Sequence, residues 1–217
     1  MTLVRYETIE IKESHEPLVN LKKFDFFLEP VYFNLGLSAD SEMYLRESVA
    51  KKLSAIQNQL QGFKFKIWDG FRPREVQNNI YQKYWRGLKS VHPGWSNEQL
   101  AAQVGLFVTQ GDIEDRIPPH SSGGAVDLTL ANIDGSELDM GTKFDHFGPE
   151  AASLFYESHG SNDKIRDNRR KLREAMAVND FRVDVEEWWH YDFGNQFWAI
   201  QLNKPFAIYG EAVLGKA

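Results

Sequence analysis

Apolar residues recur at threes and fours through Leu45, Val49, Leu53, Ile56 and Leu60, the spacing that lines one face of a helix. Asp40 and Ser41 mark a start for this helix and Gly62 a stop. The period then shortens to two. Phe63-Lys64-Phe65-Lys66-Ile67-Trp68 alternates as a strand and leads to Arg72, just before Pro73, a suitable first residue of a second helix. Ile80, Tyr81, Tyr84 and Trp85 carry that helix, and Ser96-Asn97-Glu98-Gln99 forms a capping box that opens a third. A fourth is predicted over 161–178, with Ile165, Leu172, Ala175 and Met176 as its apolar stripe. Phe181-Arg182-Val183-Asp184-Val185 returns as strand, and Phe206-Ala207-Ile208-Tyr209 is expected to add a final one. The pattern is α+β, with neither a repeat nor a regular βα alternation.

The candidate chemistry lies where this periodicity breaks. Ala125 to Leu130 alternates, with Val126, Leu128 and Leu130 on one face and Asp127 and Thr129 on the other. His120 precedes Asp127 by seven residues, an odd offset that would put the two on opposite faces of a continuous strand. The chain must therefore bend between them, and Ser121-Ser122-Gly123-Gly124 permits a tight turn with positive φ. Glu187 and His190 are three apart, so a bulge or strand end near Trp188-Trp189 is needed to bring both to one place. Two imidazoles, one carboxylate and a further carboxylate nearby suit a divalent metal with water in its open position.

Composition narrows the reading. The 217 residues suffice for one good core and do not require two domains. No cysteine is present, so disulfides and thiolate ligands are excluded, and a cytoplasmic location is expected. The N-terminal stretch Met1 to Thr8 lacks the apolar core of a signal peptide, and no segment has the roughly 20 apolar residues of a membrane span. A net charge of −6 argues against nonspecific nucleic-acid binding. The locally basic run Lys164 to Arg173 is expected to be a solvated helix face. His15, His92, His146 and His159 have no partner at ligand spacing, although His146, following Asp145, could line a pocket.

Four blocks occur together: Trp68-Asp69-Gly70-Phe71-Arg72-Pro73, Pro119-His120-Ser121-Ser122-Gly123-Gly124-Ala125-Val126-Asp127-Leu128-Thr129-Leu130, Asp139-Met140-Gly141-Thr142-Lys143-Phe144-Asp145 and Glu186-Glu187-Trp188-Trp189-His190-Tyr191. In this order they resemble the D-alanyl-D-alanine dipeptidase family of VanX type, over about residues 68 to 191. The resemblance implies one hedgehog/D,D-peptidase-like domain, with a central, mainly antiparallel sheet and flanking helices. It implies one Zn2+ per chain on His120, Asp127 and His190, Glu187 as general base and acid, and Arg72 facing the oxyanion. It also implies that Asp145 contacts the free ammonium of a small dipeptide, with no nucleic acid or membrane as partner. Glu186 competes with Glu187 for the base, but the three-residue offset to His190 and the family pattern favour Glu187, leaving Glu186 solvent-facing or paired.

Two features depart from the pattern. Pro118-Pro119 stands where the dipeptidases carry small hydroxyl residues that help hold substrate, and proline offers no donor there. The stretch Leu21 to Pro30 matches only loosely. The metal chemistry is less affected than the substrate's identity. The alternatives are a carboxypeptidase or endopeptidase acting on larger cell-wall peptides, and a metal- or peptide-binding module that has lost catalysis. The sequence leaves oligomeric state open.

Overall fold

A computed structural model of the chain describes residues 8–113, 115–158 and 162–215. It opens with β1 (Leu18–Asn20), β2 (Phe27–Leu28), α1 (Val31–Asn34), β3 (Tyr44–Arg46) and α2 (Glu47–Gln57). Next come β4 (Phe63–Asp69), α3 (Arg74–Val91), α4 (Asn97–Val104), β5 (Ala125–Asn132) and α5 (Phe155–Ser158). The chain finishes with α6 (Asp163–Ala177), β6 (Arg182–Val183), β7 (His190–Asp192) and α7 (Gln196–Gln201). Five strands form a sheet in the order β2-β4-β5-β7-β6, while β1 and β3 make a separate pair. Only β2 joins its neighbour in parallel. The α+β class with a mainly antiparallel central sheet is therefore as the sequence predicts.

Binary patterning explains the core. Val126, Leu128 and Leu130 of β5 gather with Phe65 and Ile67 of β4, Val49, Leu53 and Ile56 of α2, and Leu172 and Met176 of α6. The third helix carries its capping box as expected, with Ser96 accepting from Gln99 N–H and Gln99 accepting from Ser96 N–H. None of the described helices is long and apolar enough to cross a membrane.

Several boundaries differ from the sequence reading, and distant partners account for those at α2 and Phe206–Tyr209. Helix α2 begins at Glu47 rather than at Asp40-Ser41, because Tyr44–Arg46 pair with β1 and draw Leu45 into a strand. It ends at Gln57, whose side chain accepts from Phe65 N–H at 2.8 Å and donates to the Asp25 carbonyl at 2.7 Å. Gly62 serves the following turn instead, at φ 81°. Pro73 caps α3 rather than starting it. The strand expected over 181–185 shortens to Arg182–Val183. Phe206–Tyr209 forms no strand: Ala207 bonds to Glu10 and Lys12, whereas Ile208 and Tyr209 donate to Gly194, so no single ladder develops. The fourth helix runs from Asp163 behind an Asn162 cap, and residue 161 and His159 lie outside the described residues. Of the cations in its basic run only Lys164 and Lys171 are exposed; Arg166, Arg170 and Arg173 are half-buried and paired with Asp163, Asp167 and Glu157, and Arg169 is buried and donates to the carbonyls of Met140, Glu150 and Ala152. That arginine pins α6 to the loop preceding and following Asp145.

The paired glycines divide their work. Gly123 supplies the left-handed conformation at φ 71°, whereas Gly124 provides close approach, since a Cβ there would lie 2.3 Å from the Phe193 carbonyl oxygen. A backbone atom cannot move aside as a flexible side chain does. Gly124→Ala is therefore expected to destabilise the protein by about 3 kcal/mol, read as a lower urea midpoint at unchanged slope. An unchanged midpoint would show that the 2.3 Å approach is not a packing constraint.

Candidate metal centre

Sheet register builds the site. A bulge between Ile67 and Asp69 places Asp69 opposite Asp127, and on the other side of β5 Asp127 stands opposite His190. Three adjacent strands thus present a row of polar side chains. His120 joins from a short 3-10 turn, Pro119–Ser122, that immediately precedes Gly123. The needed bend downstream is a turn and strand start: Trp188-Trp189 form the turn, His190 N–H donates to the Glu187 carbonyl, and β7 begins at His190.

His120, Asp127 and His190 are all buried and offer one ligand atom each within 4.8 Å of the others. His120 Nε2 lies 3.2 Å from His190 Nδ1 and 3.3 Å from Asp127 Oδ2, and His190 Nδ1 lies 3.0 Å from Asp127 Oδ1. Tetrahedral zinc with bonds of about 2.0–2.1 Å separates its ligand atoms by roughly 3.3 Å. The spacing fits. Each imidazole is also oriented from behind, with His120 Nδ1 2.7 Å from the Gly70 carbonyl and His190 Nε2 3.2 Å from Asp192 Oδ1. Donating those N–H groups leaves the opposite nitrogens free to ligate, the arrangement that fixes tautomer and ring direction in metal sites. Asn195 donates to Asp192 at 2.5 Å and so steadies the orienter.

Electrostatics follow from this packing. Burial opposes charge on Asp127, yet His120 and His190 outweigh it and hold the carboxyl below its ordinary range. Burial likewise opposes charge on His190, and Asp192 and Asp127 raise its pKa well above the usual value. Glu187 is shifted the other way for a base: burial first, then Asp127, Asp184 and Asp145, push its pKa well up.

A cavity of about 140 Å3 opens onto the row, and Arg72, Asp145, Glu187, His120, Asp127 and His190 all line it. The structure thus brings together every site residue named from the sequence. Glu187 reaches the cavity, whereas Glu186 is exposed. Arg72 is buried and makes the Asp69 ion pair, with Nε at 2.8 Å and Nη2 at 2.6 Å from Oδ2, while Nη2 also lies 3.6 Å from Asp127. Its pKa is raised even against burial, by Asp69, Tyr32 and Asp127. Asp145 adopts a left-handed φ of 59°, and burial followed by Asp127 pushes its carboxyl up to about 6. His146 does not line this cavity; it is exposed and lies 3.3 Å from Glu150. His92 stacks on Trp95, with ring centroids 3.9 Å apart. Pro119 does line the cavity.

Sequence reasoning missed Tyr32, Gln77 and Asp192, all lining the same cavity. Asp192 had a local signal, since residues two apart on a strand share a face with His190. Tyr32 and Gln77 had none, because α1 and α3 reach the site only through tertiary packing.

Residues 40–209 match the peptidase M15 family, described as D-ala-D-ala dipeptidase. The chain belongs to this family of peptidases. It is 30% identical over 150 residues to a D-alanyl-D-alanine dipeptidase of Enterococcus faecium, covering 65% of this chain and 66% of that protein. With a D-alanyl-D-alanine dipeptidase of Synechocystis sp. it shares 26% identity over 223 residues, covering 92% of this chain and 90% of the relative. The matched stretch thus spans just under two thirds of the Enterococcus relative and nine tenths of the cyanobacterial one. A solved Zn(II) complex of a vancomycin resistance D,D-pentapeptidase VanY mutant superposes with a TM-score of 0.46 at 16% identity, covering 91% of this chain and 93% of that one.

Proposed function

We propose that this chain is a single-domain zinc D,D-dipeptidase that hydrolyses a small dipeptide such as D-Ala-D-Ala. The observation that carries the reading is the buried trio His120, Asp127 and His190, whose ligand atoms lie within 4.8 Å of one another and which lines the same cavity as Glu187, Arg72 and Asp145. His120, Asp127 and His190 would hold one ion, which when bound supplies polarisation of the scissile carbonyl and acidification of a water molecule.

The protein's own groups do the rest. Glu187 takes a proton from the attacking water and returns it to the leaving amine, roles open to the carboxyl that lines the cavity beside the ligand trio. Arg72, a permanent cation held by Asp69, faces the carbonyl oxygen as negative charge develops there. Asp145 receives the substrate's ammonium. The Asp145 carboxylate in the cavity wall favours a substrate with a free ammonium, such as a dipeptide, over the long peptide stems of the wall.

Assays on D-Ala-D-Ala, L-Ala-L-Ala and N-acetyl-D-Ala-D-Ala test the reading with the zinc-loaded protein. Cleavage of the first alone is expected, with the acetylated compound at least about a hundredfold lower in kcat/KM because Asp145 is left buried and unpaired. Equal turnover of the acetylated compound removes the role of Asp145, and no turnover of any removes the dipeptidase reading.

A further inference from the structure

Two of the groups just assigned, Arg72 and Asp145, meet on one side chain that belongs to neither of their segments. Tyr32 is buried in the short helix α1. Its hydroxyl donates to both oxygens of Asp145, at 3.2 and 3.1 Å. The face of its ring lies 4.6 Å from the guanidinium carbon of Arg72. Tyr32 also lines the cavity itself.

Resting on the dipeptidase reading, we infer that Tyr32 is a positioning residue with two separable parts: its hydroxyl aims Asp145 at the substrate's ammonium, and its ring holds Arg72 towards the reacting carbonyl. Consider the carboxylate first. Asp145 sits in a left-handed backbone conformation, which aspartate tolerates better than most residues and which sets the direction of its side chain. Its carboxylate is held by the Tyr32 phenol, and Tyr84 and Arg72 also favour its charged form. A hydroxyl shared between both oxygens fixes the plane of the carboxylate yet leaves lone pairs for an incoming ammonium. Burial and Asp127 disfavour the charge of Asp145, and the Tyr32 hydroxyl is among the groups that oppose them.

The arginine is restrained from its edges and from one face. Asp69 takes Nε and Nη2, and Gln77 takes Nη1 at 2.9 Å while donating to the Thr109 carbonyl at 2.6 Å. These partners fix the fork in its plane but not against tilting out of it. The ring of Tyr32 closes that direction, and its negative face favours the cation. Phe144, the residue preceding Asp145, packs beside the ring with centroids 6.0 Å apart.

Chemically, the two parts act at different points of the reaction. An ammonium contact is made in the bound substrate and kept, so weakening it raises KM; an oxyanion contact strengthens as charge develops, so weakening it lowers kcat. Tyr32→Phe removes only the hydroxyl. It is expected to raise KM for D-Ala-D-Ala about tenfold, the usual scale for a hydrogen bond to a charged group, with kcat within about twofold of wild type. Tyr32→Leu removes the ring as well and is expected to add a fall in kcat of about tenfold, the scale of a desolvated cation–ring contact.

The decisive measurement is a pair of double-mutant cycles on zinc-loaded protein, with metal content and thermal midpoint recorded for every variant. Tyr32→Phe combined with Asp145→Asn should give the KM of Asp145→Asn alone, because the hydroxyl has no carboxylate left to aim. Tyr32→Leu combined with Arg72→Lys should likewise show a kcat no lower than Arg72→Lys alone. Multiplicative effects in both cycles, or a Tyr32→Phe enzyme with wild-type KM, would overturn the inference. If Tyr32→Leu does not fold, the Tyr32→Phe cycle decides the hydroxyl's role by itself. Failure of the dipeptidase reading looks different: wild-type protein would not cleave the dipeptide, or Asp145→Asn would be silent on its own.

Discussion

Replacing Glu187 by Gln is expected to leave zinc binding intact while lowering turnover of D-Ala-D-Ala by about a thousandfold or more. The two side chains have nearly the same shape, so the cavity is not reshaped, but an amide cannot take a proton from water at neutral pH. One group serving two proton transfers makes the loss larger than for a residue that acts once. Metal should be retained because the proposed ligands are His120, Asp127 and His190, which the substitution leaves in place. The same substitution carries a stability signature of opposite sign. The folded-state pKa of Glu187 lies above its unfolded value, chiefly through burial and then through Asp127, Asp184 and Asp145. Folding therefore favours the protonated form, and above the unfolded pKa of about 4.3 the ionised form costs stability at working pH. Gln removes that cost. The variant should melt at a higher temperature than wild type near neutral pH, most clearly without metal, where no cation offsets the carboxylate. Metal analysis, steady-state kinetics and thermal unfolding together check it. Activity within tenfold of wild type would mean that another base operates, whereas loss of zinc would make Glu187 a ligand.

Such a trade of stability for chemistry also marks where the sequence could and could not be read. The His120 turn, the alternation of β5 and the capping box of α4 were legible because each depends on residues within about ten positions. The centre itself was legible for a related reason: its four segments carry compact blocks whose residue types suit metal and proton chemistry, and two of them break the local period where the ligands must turn inward. What sets the geometry behind them is long-range. Leu45 belongs to a strand only because β1 lies beside it, and the bulge that moves Asp69 opposite Asp127 shows only in the β4–β5 register. Arg169 looks like one more cation on a basic helix, yet it is buried because three carbonyls of the Met140–Ala152 region converge on it. Tyr32 carries no signal at all, since one aromatic among several in an apolar stretch is ordinary core until its neighbours in space are known.

Removing the metal is expected to have the other large effect, on activity and on stability together. Chelation should bring dipeptide turnover to background, and added Zn2+ should restore it, because His120, Asp127 and His190 have no competing role that places a nucleophile at the carbonyl. Their packing gives the stability argument. Three buried polar groups converge on one another, His120 and His190 each within 3.0–3.3 Å of an Asp127 oxygen and 3.2 Å apart. An ion that binds the folded form alone adds about 2.7 kcal/mol at a hundredfold excess over its Kd. For a chain of this size that corresponds to roughly 5–10 °C in Tm. Asp127→Ala should abolish both the zinc-dependent rise in Tm and the activity, because two histidines without the carboxylate leave the ion underligated. The Asp127 substitution separates a metal that acts at this centre from one that merely binds the surface. A surface ion would still raise the melting temperature of the variant, whereas an ion held by this trio would not, and turnover that survived chelation with the protein metal-free would leave the hydrolytic mechanism without its source of activated water.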